Sequence, residues 1–118
     1  MDELIGRITA KVGIGEEQAK KAVGIILTFL NSAAPPEKMD ELLGAIEGSR
    51  AYVGEKKSSM FGGMMGAMAA MNELTGIGLG MGEVQGVTKE TVRFAREKAG
   101  EDLVNSIVSS IPGLSQFV

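Results

Sequence analysis

The chain has 118 residues and contains neither cysteine nor histidine. Disulfides, thiolate metal sites, the commonest metal ligand and the commonest general base are excluded before any pattern is read. The net charge is -3 with both signs interspersed, so no phosphate-backbone binding, and hence no nucleic-acid partner, is expected.

The first predicted element is a short helix over Asp2–Val12. Leu4, Ile8 and Val12 recur at helical spacing with Ile5 alongside, which makes one apolar stripe. Asp2 and Glu3 suit the positive end of the helix dipole, and Gly13-Ile14-Gly15 stops the helix. Glu16–Ser32 carries the strongest helical pattern, with Ala19, Ala22, Val23, Ile26, Leu27 and Leu30 on a broad apolar face and Phe29 beside it. Pro35 pushes Ala34 out of helical geometry, and Pro36 can open the next helix at its first turn. That helix is predicted over Glu37–Glu47, with Met39, Leu42, Leu43 and Ile46 inward and Gly48 as its stop. Ser49–Ser59 is mixed and polar and reads as a loop.

Met60–Gly82 has a different character, holding six of the eight methionines and seven glycines. A helix is predicted over Ser59–Leu74, its glycines each costing about 1 kcal/mol relative to alanine. Thr75–Gly82 alternates glycine with Ile, Leu and Met and reads as a loop. A second long helix follows over Glu83–Lys98, with Val84, Val87, Thr91, Phe94 and Ala95 inward. Gly100 stops it. Glu101–Ile111 is the last helix, with Leu103, Val104, Ile107 and Val108 inward, and Pro112-Gly113 closes it.

The second half of the chain echoes the first. A shift of 65 positions lays Gly13–Val53 over Gly78–Val118 without a gap, with seven identities that include Gly13/Gly78, Gly15/Gly80 and Phe29/Phe94. Self-similarity at a fixed offset is the mark of one structural unit used twice. The expected fold is all-α: a compact helical bundle of about five to six helices in a single domain, 1–118. It is built from unit one (1–53), a Met/Gly-rich connector of helix and loop (54–77) and unit two (78–118). The aromatic-valine pairs Tyr52-Val53 and Phe117-Val118 are expected to tuck each unit's tail inward.

Several stretches also resemble a known type. They are Val23-Gly-Ile-Ile-Leu-x-Phe-Leu30, Pro35-Pro36-Glu37-Lys38, Gly86-Val-Thr, and Phe94-Ala95-Arg96-Glu97-Lys98-Ala99-Gly100-Glu101. The tail Ile111-Pro112-Gly113-Leu114-Ser115-Gln116-Phe117-Val118 belongs with them. Together they are similar to small bacterial proteins grouped as domains of unknown function, of the VcgC/VcgE type. The resemblance covers both units. It implies a helical fold with no assigned activity, and it brings no functional residues with it.

Little in the chain carries chemistry. The glycine runs before the long helices could bind an anion at a helix N-terminus, but they lack the strand context of a phosphate loop and read as tight turns. Met64, Met65, Met68 and Met71 could offer thioethers to Cu(I); without His, Cys or an export signal they read as a pliable core helix or a plastic contact surface. Gly62-x-x-x-Gly66-x-x-x-Ala70 lets another helix approach closely, through packing within the fold, self-association or, less simply, membrane insertion. The carboxylates come as adjacent pairs, which do not share a helix face. The serines have no histidine to activate them, and a Ser/Lys arrangement at Lys56–Ser59 rests on proximity in sequence alone.

The expectation is therefore a non-enzymatic, soluble interaction or self-association module without cofactor or metal. Its contact surface is Met60, Phe61, Met64, Met65, Met68 and Met71, and its partner a second copy or another protein. Binding of an apolar ligand or a membrane surface between the helical units is the alternative, and carboxylate or Ser/Lys catalysis the third. The opening Met-Asp-Glu-Leu is acidic and lacks a signal-type apolar stretch, so the expected location is the cytoplasm.

Overall fold

In the computed structural model, residues 2–52 and 63–110 are the described part of the chain. They form six α-helices: α1 (Asp2–Val12), α2 (Glu16–Ala33), α3 (Pro36–Ala45), α4 (Gly63–Gly76), α5 (Met81–Ala99) and α6 (Glu101–Ser110). No strand occurs among the described residues. The fold is the expected all-α bundle. Helices α2 and α5 begin 65 residues apart, as do α3 and α6.

The turns that set these boundaries use the same devices at the same offset. Gly13 and Gly78 have φ of +82° and +100°, a region that L-residues other than glycine enter only at a cost. The Gly13 N–H donates to the Thr9 carbonyl at 3.2 Å, closing α1. At the end of α4, Gly78 donates to Thr75 at 3.0 Å and Leu79 to Leu74 at 3.4 Å, the paired bonds of a Schellman stop. Ile14 and Leu79, the residues after these glycines, are both buried. Each long helix then opens in the same way. The Gly15 N–H is accepted by Gln18 Oε1 at 3.3 Å, and the Gly80 N–H by Glu83 Oε1 at 2.9 Å.

This cap explains one departure from the pattern reading. Glu83 is the third residue of α5, not its first, because its carboxylate reaches back to Gly80; the helix therefore starts at Met81. The expected loop over Thr75–Gly82 shrinks to Ile77–Gly80. The expected polar loop after Gly48 is also corrected, since Ser49–Tyr52 forms a 3-10 turn. Ser49 is fully buried, and its hydroxyl donates to the carbonyls of Leu43 (2.9 Å) and Ile46 (2.7 Å). This turn lies on α2 at Gly24, where a Cβ would come within 3.1 Å of the Tyr52 carbonyl oxygen.

Packing pairs the helices reciprocally. α1 lies chiefly on α5 and also on α2, whereas α4 lies chiefly on α2 and less on α5. The long helices α2 and α5 touch each other, as do α3 and α6. Burial follows the offset through the long helices: Ala19 and Val84, Ala22 and Val87, Leu27 and Val92 are all core, as are Met39 and Val104, Leu42 and Ile107. Leu103, expected inward, is only half-buried.

The first helices obey the offset less well. α1 buries Leu4, Ile5 and Ile8. In α4 the buried residue is Leu74, with Ala70 and Met71 half-buried. Leu74 corresponds to Thr9 at the 65-residue shift, not to Ile8. Among the described side chains of α4, which begin at Ala70, the one fully buried position thus falls one residue past that of Ile8, while the glycine turns that follow stay in phase.

Candidate interaction surface

The residues expected to make the contact surface divide into three groups. Met60 and Phe61 lie outside the described residues. Met64, Met65 and Met68 are placed on α4 as backbone positions, and the described side chains of that helix begin at Ala70. Met71 is half-buried beside buried Leu74. A further methionine, Met81 at the start of α5, is 53% exposed, and sequence reasoning did not place it on this surface.

α4 itself is chemically unlike α1. Its sequence, GMMGAMAAMNELTG, contains a single charged residue, Glu73, and no cation. α1 carries Asp2, Glu3, Arg7 and Lys11. The polar residues of α4, Asn72, Glu73 and Thr75, gather in its last turns and are exposed. α4 meets α2 and, to a smaller extent, α5.

The equivalent edge, between α1 and α5, is laced with charge. Arg7 donates to Glu97 through both terminal nitrogens, the Nη2–Oε1 bond at 3.1 Å, and lies 3.4 Å from Glu3 Oε1. Lys98 Nζ is 3.7 Å from the other Glu3 oxygen. Arg7 and Lys98 each stand 5.4 Å from the centroid of the Phe94 ring, within cation–π range. The Arg7 hydrogen bond is the main reason the Glu97 carboxyl is held below its ordinary pKa, and Glu97 in turn raises Arg7.

Beneath this network lies Glu90, whose side chain is only 9% exposed. Its Oε1 is 3.6 Å from Lys11 Nζ and 3.5 Å from Arg93 Nη1. Its Oε2 is buried with no hydrogen-bond partner. The sequence held a signal for this residue that went unread. Glu90 is three residues after Val87 and four before Phe94, on the inward face, and its counterpart at the 65-residue shift is Ile25.

Two further features bear on catalysis and ligand binding. Lys38 Nζ donates to Ser106 Oγ across the α3–α6 contact, a Ser–Lys pairing other than the Lys56–Ser59 arrangement weighed from the sequence, which lies outside the described residues. Ser106 stands inside α6, where backbone N–H groups are committed to the helix and are not free to form an oxyanion site. A cavity of about 20 Å³ lies between the units, walled by Leu4, Leu27, Leu42, Val92, Val104 and Ile107 among others. That is room for about one water, in apolar walls that favour a dry void. Among the described residues, no group of three or more Asp or Glu is placed to hold a metal ion, and no helix is long and apolar enough to cross a membrane.

No protein family, curated protein or solved structure matches the chain in sequence or fold comparison.

Proposed function

We propose that this protein is a non-catalytic association module, and that the Met/Gly-rich helix α4 supplies its contact surface to a second copy or to another protein. One observation carries the reading. α4 occupies a place on α2 like that of α1 on α5, yet it brings one charge where α1 brings four. An outer helix facing water on its remaining sides would carry polar residues there. α4 does so only near its end, where Asn72, Glu73 and Thr75 are exposed; before them its sequence is methionine, glycine and alanine, a pliable composition suited to another protein. The described void between the units, about 20 Å³, is itself too small for an apolar ligand, which needs roughly 300 Å³ or more. Within the same proposal belong a cytoplasmic location and the kinship with small bacterial helical proteins.

Sedimentation velocity tests it. The chain is expected to associate as its concentration rises, and the Met64→Gln/Met68→Gln/Met71→Gln variant to stay monomeric with unchanged helical circular dichroism. A wild-type chain that is monomeric throughout, and that retains no protein partner, would overturn it.

A further inference from the structure

The reciprocal packing of the first helices raises a problem of choice. The chain holds two first helices, α1 and α4, and two long helices with matching inward faces, α2 and α5. α1 settles chiefly on α5 and α4 chiefly on α2. Apolar packing alone discriminates weakly between similar surfaces, because burial is non-directional.

The two docking faces differ most at one equivalent pair, Glu90 on α5 and Ile25 on α2. A carboxylate nine-tenths buried is tolerated only where cations meet it. α1 brings Lys11 to Glu90 at 3.6 Å, and Arg93 completes the pairing from α5 itself. α4 has no cation to bring. In the 65-residue register its positions opposite Arg7 and Lys11 are Asn72 and Gly76. With Leu74 set in the place of Ile8, one residue later, they are Glu73 and, just past the helix end, Ile77. In either register Glu90 would be left with Arg93 alone, whose side chain is 60% exposed. In the reverse misdocking, Lys11 would face half-buried Ile25.

We propose that Glu90 selects the pairing: it is a buried charge that admits α1 to α5 and rejects α4. Its contribution is to the uniqueness of the fold and not to its stability. Replacing a buried ion pair by apolar groups is often neutral or stabilising, whereas stranding one partner is costly. The unpartnered Oε2 fits this role, since a carboxylate placed for stability would have both oxygens satisfied. The inference is independent of the association reading, because it concerns only how one chain folds.

The cysteine-free chain makes the docking countable. The pair Val12→Cys/Gly86→Cys reports α1 on α5, because a Cβ at Gly86 would meet the Val12 side chain at 3.0 Å. With Glu90 present, oxidation is expected to cross-link essentially all of the chain within the monomer. With Glu90→Ile added, thermal stability is expected to hold, while the cross-linked fraction falls towards about half as the two dockings approach equal energy. Amide resonances should then appear in two sets. Full cross-linking with one set of resonances in the Glu90→Ile chain would overturn the proposal. So would failure of that chain to fold, since Glu90 would then be serving stability. Glu90→Gln, which keeps the shape and removes the charge, should fall between the two.

Discussion

The α1–α5 edge and the α4–α2 edge stand in equivalent places and are held by opposite means. The first combines a fully buried Ile8 with ion pairs from Glu3, Arg7 and Lys11 to α5. The second has a helix with one charge, half-buried Ala70 and Met71, and Leu74 as its buried anchor. The difference teaches that a repeated scaffold can hold one copy of an element fixed and leave its counterpart free to diverge. The charged edge joins α1 to α5 through ion pairs of Glu3, Arg7 and Lys11. On the proposed reading, the methionine edge is the part that meets another molecule.

The comparison breaks first at its anchors. Ile8→Ala should destabilise the chain by about 3 kcal/mol, the usual cost of emptying a packed core site. Met71→Ala, at the half-buried counterpart, should cost about 1 kcal/mol or less. Chemical denaturation of both variants measures the difference, and equal losses would remove the asymmetry between the edges.

A smaller effect separates the two glycine turns. Gly13→Ala and Gly78→Ala each force a left-handed backbone on alanine, at a cost of about 1–2 kcal/mol. Gly78→Ala should cost more, because its Cβ would press on Gln18 Nε2 at 3.0 Å, while the space at Gly13 is open. That Gln18 nitrogen donates to the Ile77 carbonyl at 3.0 Å, tying α2 to the end of α4. Thermal melts of the two variants should therefore rank Gly78→Ala as the less stable.

The smallest effect is electrostatic. Glu97 has its carboxyl pKa lowered by Arg7, so the folded state binds this proton less readily than the unfolded chain. The pairing therefore contributes stability above the ordinary glutamate range and loses it as pH falls through the lowered value. Because the pair is exposed, the contribution is minor. Glu97→Gln should slightly lower the melting temperature at neutral pH and leave it unchanged at strongly acid pH. A difference that persists in acid would point to packing instead of charge.

Much of this fold was legible in the sequence, for identifiable reasons. The limits of α1 and the starts of α2, α3 and α6 follow from Gly13, Glu16, Pro36 and Glu101, residues whose local chemistry dictates a stop or a start. The start of α5 was hidden because its cap is a backbone N–H held by Glu83, and glycine at an N-cap gives no side-chain signal. The likeness in place between α4 and α1 was hidden as well. The two helices share no residue type at the 65-residue offset, and buried Leu74 falls one residue past the place of Ile8. Only the packing on opposite long helices brings it out. The exposure of Met81 was not legible, because its place among alternating glycines looked like part of a loop. Glu90 is hidden by its charge, the usual mark of an exposed position, although its spacing from Val87 and Phe94 places it inward.

Amide hydrogen exchange, followed for α1 and α4 at low and high protein concentration, tests the contrast between the edges most directly. If the methionine edge is the contact surface, protection of α4 rises with concentration while that of α1 stays constant. Protection that is independent of concentration in both helices, or that rises in α1 instead, would contradict the account.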